Sequence, residues 1–369
     1  MAGQDREELE VHRRIEADGD LTRRTFIGGA AAAAATATML KSTLALAGTD
    51  PSAKTSYAAS PPPGFRPFAA PGRIVKVKKS GCMMPNGMWP KADDAKEMLR
   101  RALQELTGKS DMAQAAAMFV HKDDKVCVKV NGIALKNMGT NKELVVPFVE
   151  AMVASGVKPE NITVLEQYGS FLAGTRIDDK CLPAGAKTAT HNNNDATMTA
   201  RTIPSTNGVK TKFVRVLTEA TALINFSLIK DHGICGYTGC LKNMTHGMSI
   251  NPQDFHEHHA SPQIALLAAQ DVIKSRLRLN ITDGFKLMAN GGPLYKQPQH
   301  VVPHEAVYVT TDPVAMDAIG WDLVEEQRQK FGLKSLTDEG RPPAYIQAAG
   351  DLGLGVFDRK SIVLREFTI

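Results

Sequence analysis

The sequence predicts an α/β fold: a largely parallel or mixed sheet with flanking helices, leaving room for a smaller inserted subdomain. Three observations carry that reading. Short β-rich runs alternate with helical stretches along most of the chain, the order that a helix-covered parallel sheet requires. The run Thr221–Ile229 is predominantly apolar, as suits a strand buried on both faces. The 369 residues, 43% hydrophobic and 22% charged, suffice for one large core and exclude a disordered chain, a collagen-like chain or a small disulfide scaffold.

In chain order, Arg73–Lys78 reads as a strand, Ala92–Thr107 as a helix and Lys125–Val130 as an alternating strand. Asn141–Ser155 is helical despite Pro147, and Asn161–Glu166 is a strand behind Gly156. The stretch 168–210 is irregular and is where an inserted subdomain would fall. After the apolar strand, Ser261 as cap and Pro262 at the first helical position open a helix to about Arg276. Leu277–Thr282 and Ala306–Thr311 are strands, Asp312-Pro313 starts a helix to about Lys330, a shorter helix covers 342–349, and Ile362–Phe367 closes as a strand. No internal repeat or heptad pattern is present.

Ahead of this body stand two segments of different character. Thr22-Arg23-Arg24-Thr25-Phe26-Ile27 matches the twin-arginine export pattern, followed by a weakly apolar stretch to Ala47 and a small-residue site at Ala45-Leu46-Ala47. Residues 1–47 therefore read as a twin-arginine signal peptide, which makes the export machinery a partner and an extracytoplasmic, periplasmic location the destination. An uncleaved anchor is the competing reading, but Ala, Gly, Thr and Lys41 make the stretch a poor span, so no stable membrane insertion is expected after cleavage. Residues 48–72 carry six prolines, including Pro61-Pro62-Pro63, and read as an extended, disordered tether, leaving 73–369 as the α/β body. A formal charge of +5 over the whole chain, without a dense basic cluster, argues against a nucleic-acid partner.

Polar residues gather at the ends of the predicted strands. Lys129-Val130-Asn131-Gly132, Glu166-Gln167-Tyr168-Gly169, Lys230-Asp231-His232-Gly233, Asp283-Gly284 and Asp312 all follow apolar runs. In open α/β sheets ligands bind beyond the carboxyl ends of the strands, so these five ends are expected to meet at one rim. The alternative is that loops are polar anyway and that Asp312 is only a helix cap.

The segment from Lys230 onward packs two lysines, two histidines and two cysteines among glycines. Lys230 and Lys242, joined by Lys129, suit a carboxylate or phosphate. Seven of the ten histidines lie between His232 and His304, and a convergence of His232, His246 and His256 would suit a divalent transition metal or proton transfer. Their spacing matches neither a helical two-histidine zinc site nor a zinc finger. For His258 and His259 a polar surface is the competing reading. Of the five cysteines, Cys127 falls in a strand core, while Cys235 and Cys240 are close enough in sequence to pair; no ferredoxin-type run exists, so no iron–sulfur cluster is expected. Asp317 sits in an otherwise apolar helix and needs a partner, either the Asp312 loop, neighbouring backbone or a site lysine.

Taken in order, Lys129-x-Asn131, Lys230-x-His232, Thr238, Lys242-Asn243, Asp283-Gly284, Gly292-Pro293 and Asp312-Pro313-Val314-Ala315-Met316-Asp317 resemble the domain-of-unknown-function 362 family, over roughly residues 73–355. Some members of that family carry ferredoxin-type clusters, whose cysteines this chain lacks. A more distant likeness is to the N-terminal domain of lactate-racemase-type proteins, which use lysines and histidines around a nickel-bearing nucleotide. That likeness implies a proton-transfer or metal role for His232 and a phosphate or cofactor anchor in Lys230 or Lys242.

Two functional expectations follow. The first is an exported protein, enzymatic if metal-assisted, with a small anionic ligand held by Lys129, Lys230 and Lys242. In it His232 acts as acid/base or ligand, Asn131, Thr238 and Asn243 line the site, and Asp283, Asp312 and Asp317 orient it. The second is a non-catalytic binding, assembly or maturation protein of the cell envelope using the same cleft.

Overall fold

The structure, a computed structural model, describes residues 56–204 and 206–369. The predicted signal segment 1–47 and residues 48–55 of the predicted tether lie outside the described residues. Among the described residues no helix is long and apolar enough to cross a membrane.

The α/β expectation holds. The strands are β1 (Arg73–Lys78), β2 (Val126–Lys129), β3 (Ile162–Glu166), β4 (Lys187–Thr190), β5 (Arg201–Thr202), β6 (Lys210–Thr211), β7 (Ala222–His232), β8 (Gly236–Thr238), β9 (Leu277–Met288), β10 (Val301–Thr310) and β11 (Val363–Thr368). Nine of them form one sheet in the order β11-β1-β10-β9-β7-β2-β3-β4, with β8 folded back on β7, while β5 and β6 make a separate ribbon. Strands β9, β7, β2, β3 and β4 are mutually parallel, and β10 alone on that path runs against its neighbours β9 and β1.

The period of two in each strand sorts side chains into two core layers. Val126 and Val128 of β2, Ile224 and Phe226 of β7, and Leu279 and Ile281 of β9 face the layer covered by helices Ala92–Thr107 and Lys142–Ala154. Cys127 and Leu223 face the opposite layer, built from helices Cys240–Thr245, Gln263–Ala268, Pro313–Lys330 and Tyr345–Asp351. By the same alternation Lys129, Asn225, Ser227, Asn280 and Thr282 belong to this second face, and all five are buried.

Several elements differ from expectation. β7 continues through Lys230-Asp231-His232 because β8 pairs with those residues, with Lys230 opposite Thr238 and His232 opposite Gly236. β9 and β10 form a long antiparallel pair, so Asp283 and Gly284 lie inside a strand, opposite Val307 and Ala306. The helix predicted from Ser261 to Arg276 is two short ones, Gln263–Ala268 and Asp271–Lys274, parted at Gln270, whose backbone is extended; Ser261 makes no cap bond. From Ser56 to Gly72 the proline-rich stretch is not a disordered tether but is fastened to the body: Asp271 Oδ2 accepts from Tyr57 N at 2.8 Å, and Phe68 packs edge-on against Phe119.

Candidate functional site

The carboxyl ends of β2, β3 and β7 share one rim, and the helix Cys240–Thr245 lies across it on the second face. That short helix needs help to stay there. The buried Asp317, from the neighbouring Pro313–Lys330 helix, accepts from the Cys240 and Leu241 amides at 2.5 and 2.9 Å, capping the helix start. Gly239 permits this approach, since a Cβ there would stand 2.3 Å from Asp317 Oδ1. Burial outweighs these bonds and pushes the Asp317 carboxyl up to about 7. Below, Asn225 Nδ2 donates to Cys240 O at 3.1 Å and to Asn280 Oδ1 at 2.8 Å, and Ser227 Oγ meets Thr282 Oγ1 at 2.8 Å. The sheet is therefore polar where this helix sits.

On this scaffold two of the three lysines are tied to a pair of asparagines. Lys129 is buried, and its ammonium donates to Glu166 Oε2 at 2.9 Å, to Asn243 Oδ1 at 3.4 Å and to Val130 O. A lysine has three donors, so Lys129 is fully engaged in the fold. Glu166 also accepts from the Gly132 amide at 2.7 Å and from the Gln167 amide. Lys230, wholly buried, donates to Asn131 Oδ1 at 2.7 Å, and Asn131 Nδ2 donates to Asn243 Oδ1 at 3.2 Å. Burial drives the Lys230 amine down to about 7, against the opposing pull of Glu166.

Lys242 differs from both. Among the described residues no hydrogen-bond or ion-pair partner meets its ammonium, although the side chain is about nine-tenths buried. Burial lowers its pKa, and it lines a cleft of about 1050 Å³ with Asn131, Thr238, His232, His246 and His256.

The three histidines do come together: His256 stacks on His232 with centroids 5.8 Å apart and meets His246 edge-on at 4.9 Å. His232 Nδ1 accepts from the Ile234 and Cys235 amides at 3.1 and 3.3 Å. That bonding assigns the ring proton of the neutral form to Nε2, making it a donor. Both nitrogens of His246 are engaged as well, Nδ1 with Thr245 Oγ1 at 3.2 Å and Nε2 with Phe255 O at 3.3 Å. Burial, with Lys242 as the next cause, holds His232 and His246 well below the ordinary histidine range and pushes His256 down to about 3.

This donor set does not fit the expected metal. A ligating histidine offers a lone pair, whereas His232 presents N–H and His246 is occupied, and the neighbouring ammonium repels a cation. Among the described residues no group of three or more His, Cys, Asp or Glu side chains has the arrangement to hold a metal ion. Cys235 and Cys240 are unpaired, the first bonding Tyr237 O and the second Ser227 Oγ, so the anticipated pairing is absent too.

Two predicted site residues fall elsewhere. Asp312 ends β10, which runs against β9, so it lies at the opposite rim, where it caps its helix through the Ala315 amide and ties down Gly72 and Val356. Asp283, mid-strand, accepts from Asn141 N and Nδ2 at 2.7 and 2.9 Å and thereby fixes the start of the Lys142–Ala154 helix.

Sequence reasoning missed a charged cluster in the cleft wall. Asp231 Oδ1 accepts from Arg341 Nη1 at 2.5 Å and lies 3.7 Å from Arg328, while Glu339 pairs with both arginines. Arg341 Nη1 also donates to the His232 carbonyl at 2.8 Å. His191, likewise unforeseen, reaches the Gly247 carbonyl through Nε2 at 3.1 Å. Because Glu166, Asp231 and Glu339 are already paired with Lys129, Arg341 and Arg328, an anion at Lys242 need not first break an ion pair.

Residues 126–322, more than half the chain, match the family model described as "Domain of unknown function (DUF362)". The chain belongs to the DUF362 family. The match spans Lys129, Asn131, the Lys230–Asn243 segment and Asp317, so the rim just described lies within the DUF362 region, while Arg328 and Arg341 lie beyond it. No curated protein matches the sequence. Among solved structures, the lactate racemase apoprotein from Thermoanaerobacterium thermosaccharolyticum is similar at 12% identity, with a TM-score of 0.35, over 73% of this chain. The present chain covers 62% of that protein, less than two thirds of its length.

Proposed function

We propose that this DUF362 member is an exported binding protein whose cleft holds a small anionic ligand on Lys242. The observation that carries the reading is the Lys242 ammonium itself: nearly buried, facing the cleft and without a protein partner. A desolvated charge left unpaired is costly, and an incoming carboxylate or phosphate relieves that cost. His232 supplies a second donor through Nε2, and Thr238 lines the same wall. Neutral histidines add no positive charge of their own, and a bound anion would favour their protonation. Binding serves this arrangement better than proton abstraction, because a histidine whose Nδ1 is held by two amides has no free lone pair to act as a base. Export rests on the twin-arginine pattern at Thr22–Ile27.

Thermal unfolding of the exported chain in sulfate against chloride at equal ionic strength tests the binding. Sulfate should raise the midpoint of the wild type by more than that of Lys242→Met, the part common to both being its general exclusion from protein surface. Equal sulfate stabilisation of both would refute the reading. Export is tested by fractionating cells that express Arg23→Lys/Arg24→Lys, which should retain the precursor in the cytoplasm.

A further inference from the structure

The cleft is larger than an inorganic anion needs. At about 1050 Å³ it stands at the upper end of small-molecule sites, which run from roughly 300 to 1,000 Å³. Part of its wall is apolar: Ile133 follows the Asn131-Gly132 turn, Ile234 follows His232-Gly233, and Leu294 follows Gly292-Pro293. All three side chains are only half-buried, and none belongs to the hydrophobic layers on either face of the sheet or packs against them. They are carried on three separate loops that also carry the polar lining, so apolar and cationic surfaces face one space.

Resting on the anion-binding reading above, we infer that the ligand is an organic oxyanion: a carboxylate or phosphate head held at Lys242, with an apolar body laid against Ile133, Ile234 and Leu294. The charge chooses the head, and the volume together with the uncovered aliphatic side chains chooses the body. Aliphatic walls that no protein group covers gain from any hydrocarbon that displaces water from them. Among the described residues that line the cleft, Glu166 is bound by Lys129, and Asp231 and Glu339 by Arg341, which leaves Asp338 as the one lining carboxylate outside an ion pair.

Calorimetric titration with the straight-chain monocarboxylates from acetate to octanoate, alongside inorganic phosphate, separates the possibilities. Affinity should rise by about fourfold for each methylene that enters the cleft, the equivalent of about 0.8 kcal/mol of apolar burial. Leu294→Ala and Ile133→Ala, which alter half-exposed side chains outside the core, should flatten that rise while leaving phosphate affinity unchanged. Lys242→Met should weaken the entire series by about tenfold or more, as loss of a charge-assisted bond implies. Phosphate or acetate binding with no gain along the series would overturn this inference and leave the anion-binding reading intact. If neither phosphate nor any carboxylate binds, the anion-binding reading itself fails. A chain-length gain that is unchanged in both alanine variants also overturns the assignment of the apolar wall.

Discussion

Asp317 is the position at which fold and site are most tightly joined, and replacing it has a calculable consequence. Its carboxylate accepts two backbone amides at the start of the Cys240–Thr245 helix, and that helix carries Lys242 and Asn243 and leads directly into His246. A hydrogen bond to a neutral group contributes about 0.5–1.5 kcal/mol, and each buried amide left without a partner costs about 1–3 kcal/mol. Asp317→Ala should therefore lower stability by roughly 3–5 kcal/mol, a large part of the 5–15 kcal/mol typical of a domain. Denaturant titration measures this directly, and an unchanged slope would show that the midpoint shift reports stability alone. The pH dependence has a definite sign. The folded carboxyl titrates at about 7, above its ordinary range, so its contribution is complete below about pH 4 and declines as pH rises toward 7. Asp317→Asn keeps one acceptor and cannot ionise, so its deficit relative to wild type should shrink as pH rises from 4 to 8. A loss below about 1 kcal/mol for Asp317→Ala, or parallel pH curves for wild type and Asp317→Asn, would refute the capping argument.

Three further outcomes follow from the same geometry. Lys129→Met should cost about 3–5 kcal/mol by stranding the buried Glu166 charge, and Lys129→Met/Glu166→Gln should recover much of it in the same unfolding assay. Asp312→Ala should lower stability by roughly 1–3 kcal/mol through its lost amide bonds, yet leave sulfate protection unchanged, because it lies at the far rim. Anion affinity should fall as pH rises through the lowered pKa of Lys242, whose charged form the anion favours; titrations between pH 6 and 10 in wild type and Lys242→Arg check this, the arginine variant holding its affinity across the range.

Much of the scaffold was legible because its signals are local. The Ala92–Thr107 helix and the Arg73–Lys78 strand keep their predicted bounds, since each has its full periodicity within its own residues. The direction of β10 escaped because alternation alone suggested another parallel strand. A signal was available: residues 289–300 contain Gly291-Gly292-Pro293 and no helix of the length a parallel crossover uses. Missing it moved Asp312 to the wrong rim. Within the site, the Lys230–Asn243 cluster was readable from composition, and Lys242, His232 and Thr238 do share the cleft. Which lysine is free was not readable, because Glu166 lies 37 residues from Lys129 and Asn131 lies 99 from Lys230. Arg341 is farther still, 110 residues from Asp231. The histidine convergence was readable too, but the bonds that already occupy nitrogens of His232 and His246 were not, since sequence spacing does not encode them.

The central claim is that the Lys242 ammonium is an anion site. Anomalous diffraction from a crystal soaked in selenate, a sulfate analogue with its own scattering signal, tests it most directly. The prediction is a selenium peak with oxygens in hydrogen-bond reach of Lys242 Nζ and His232 Nε2, absent in Lys242→Met crystals. A cleft without selenium at saturating selenate, or a peak that persists in Lys242→Met, would contradict it.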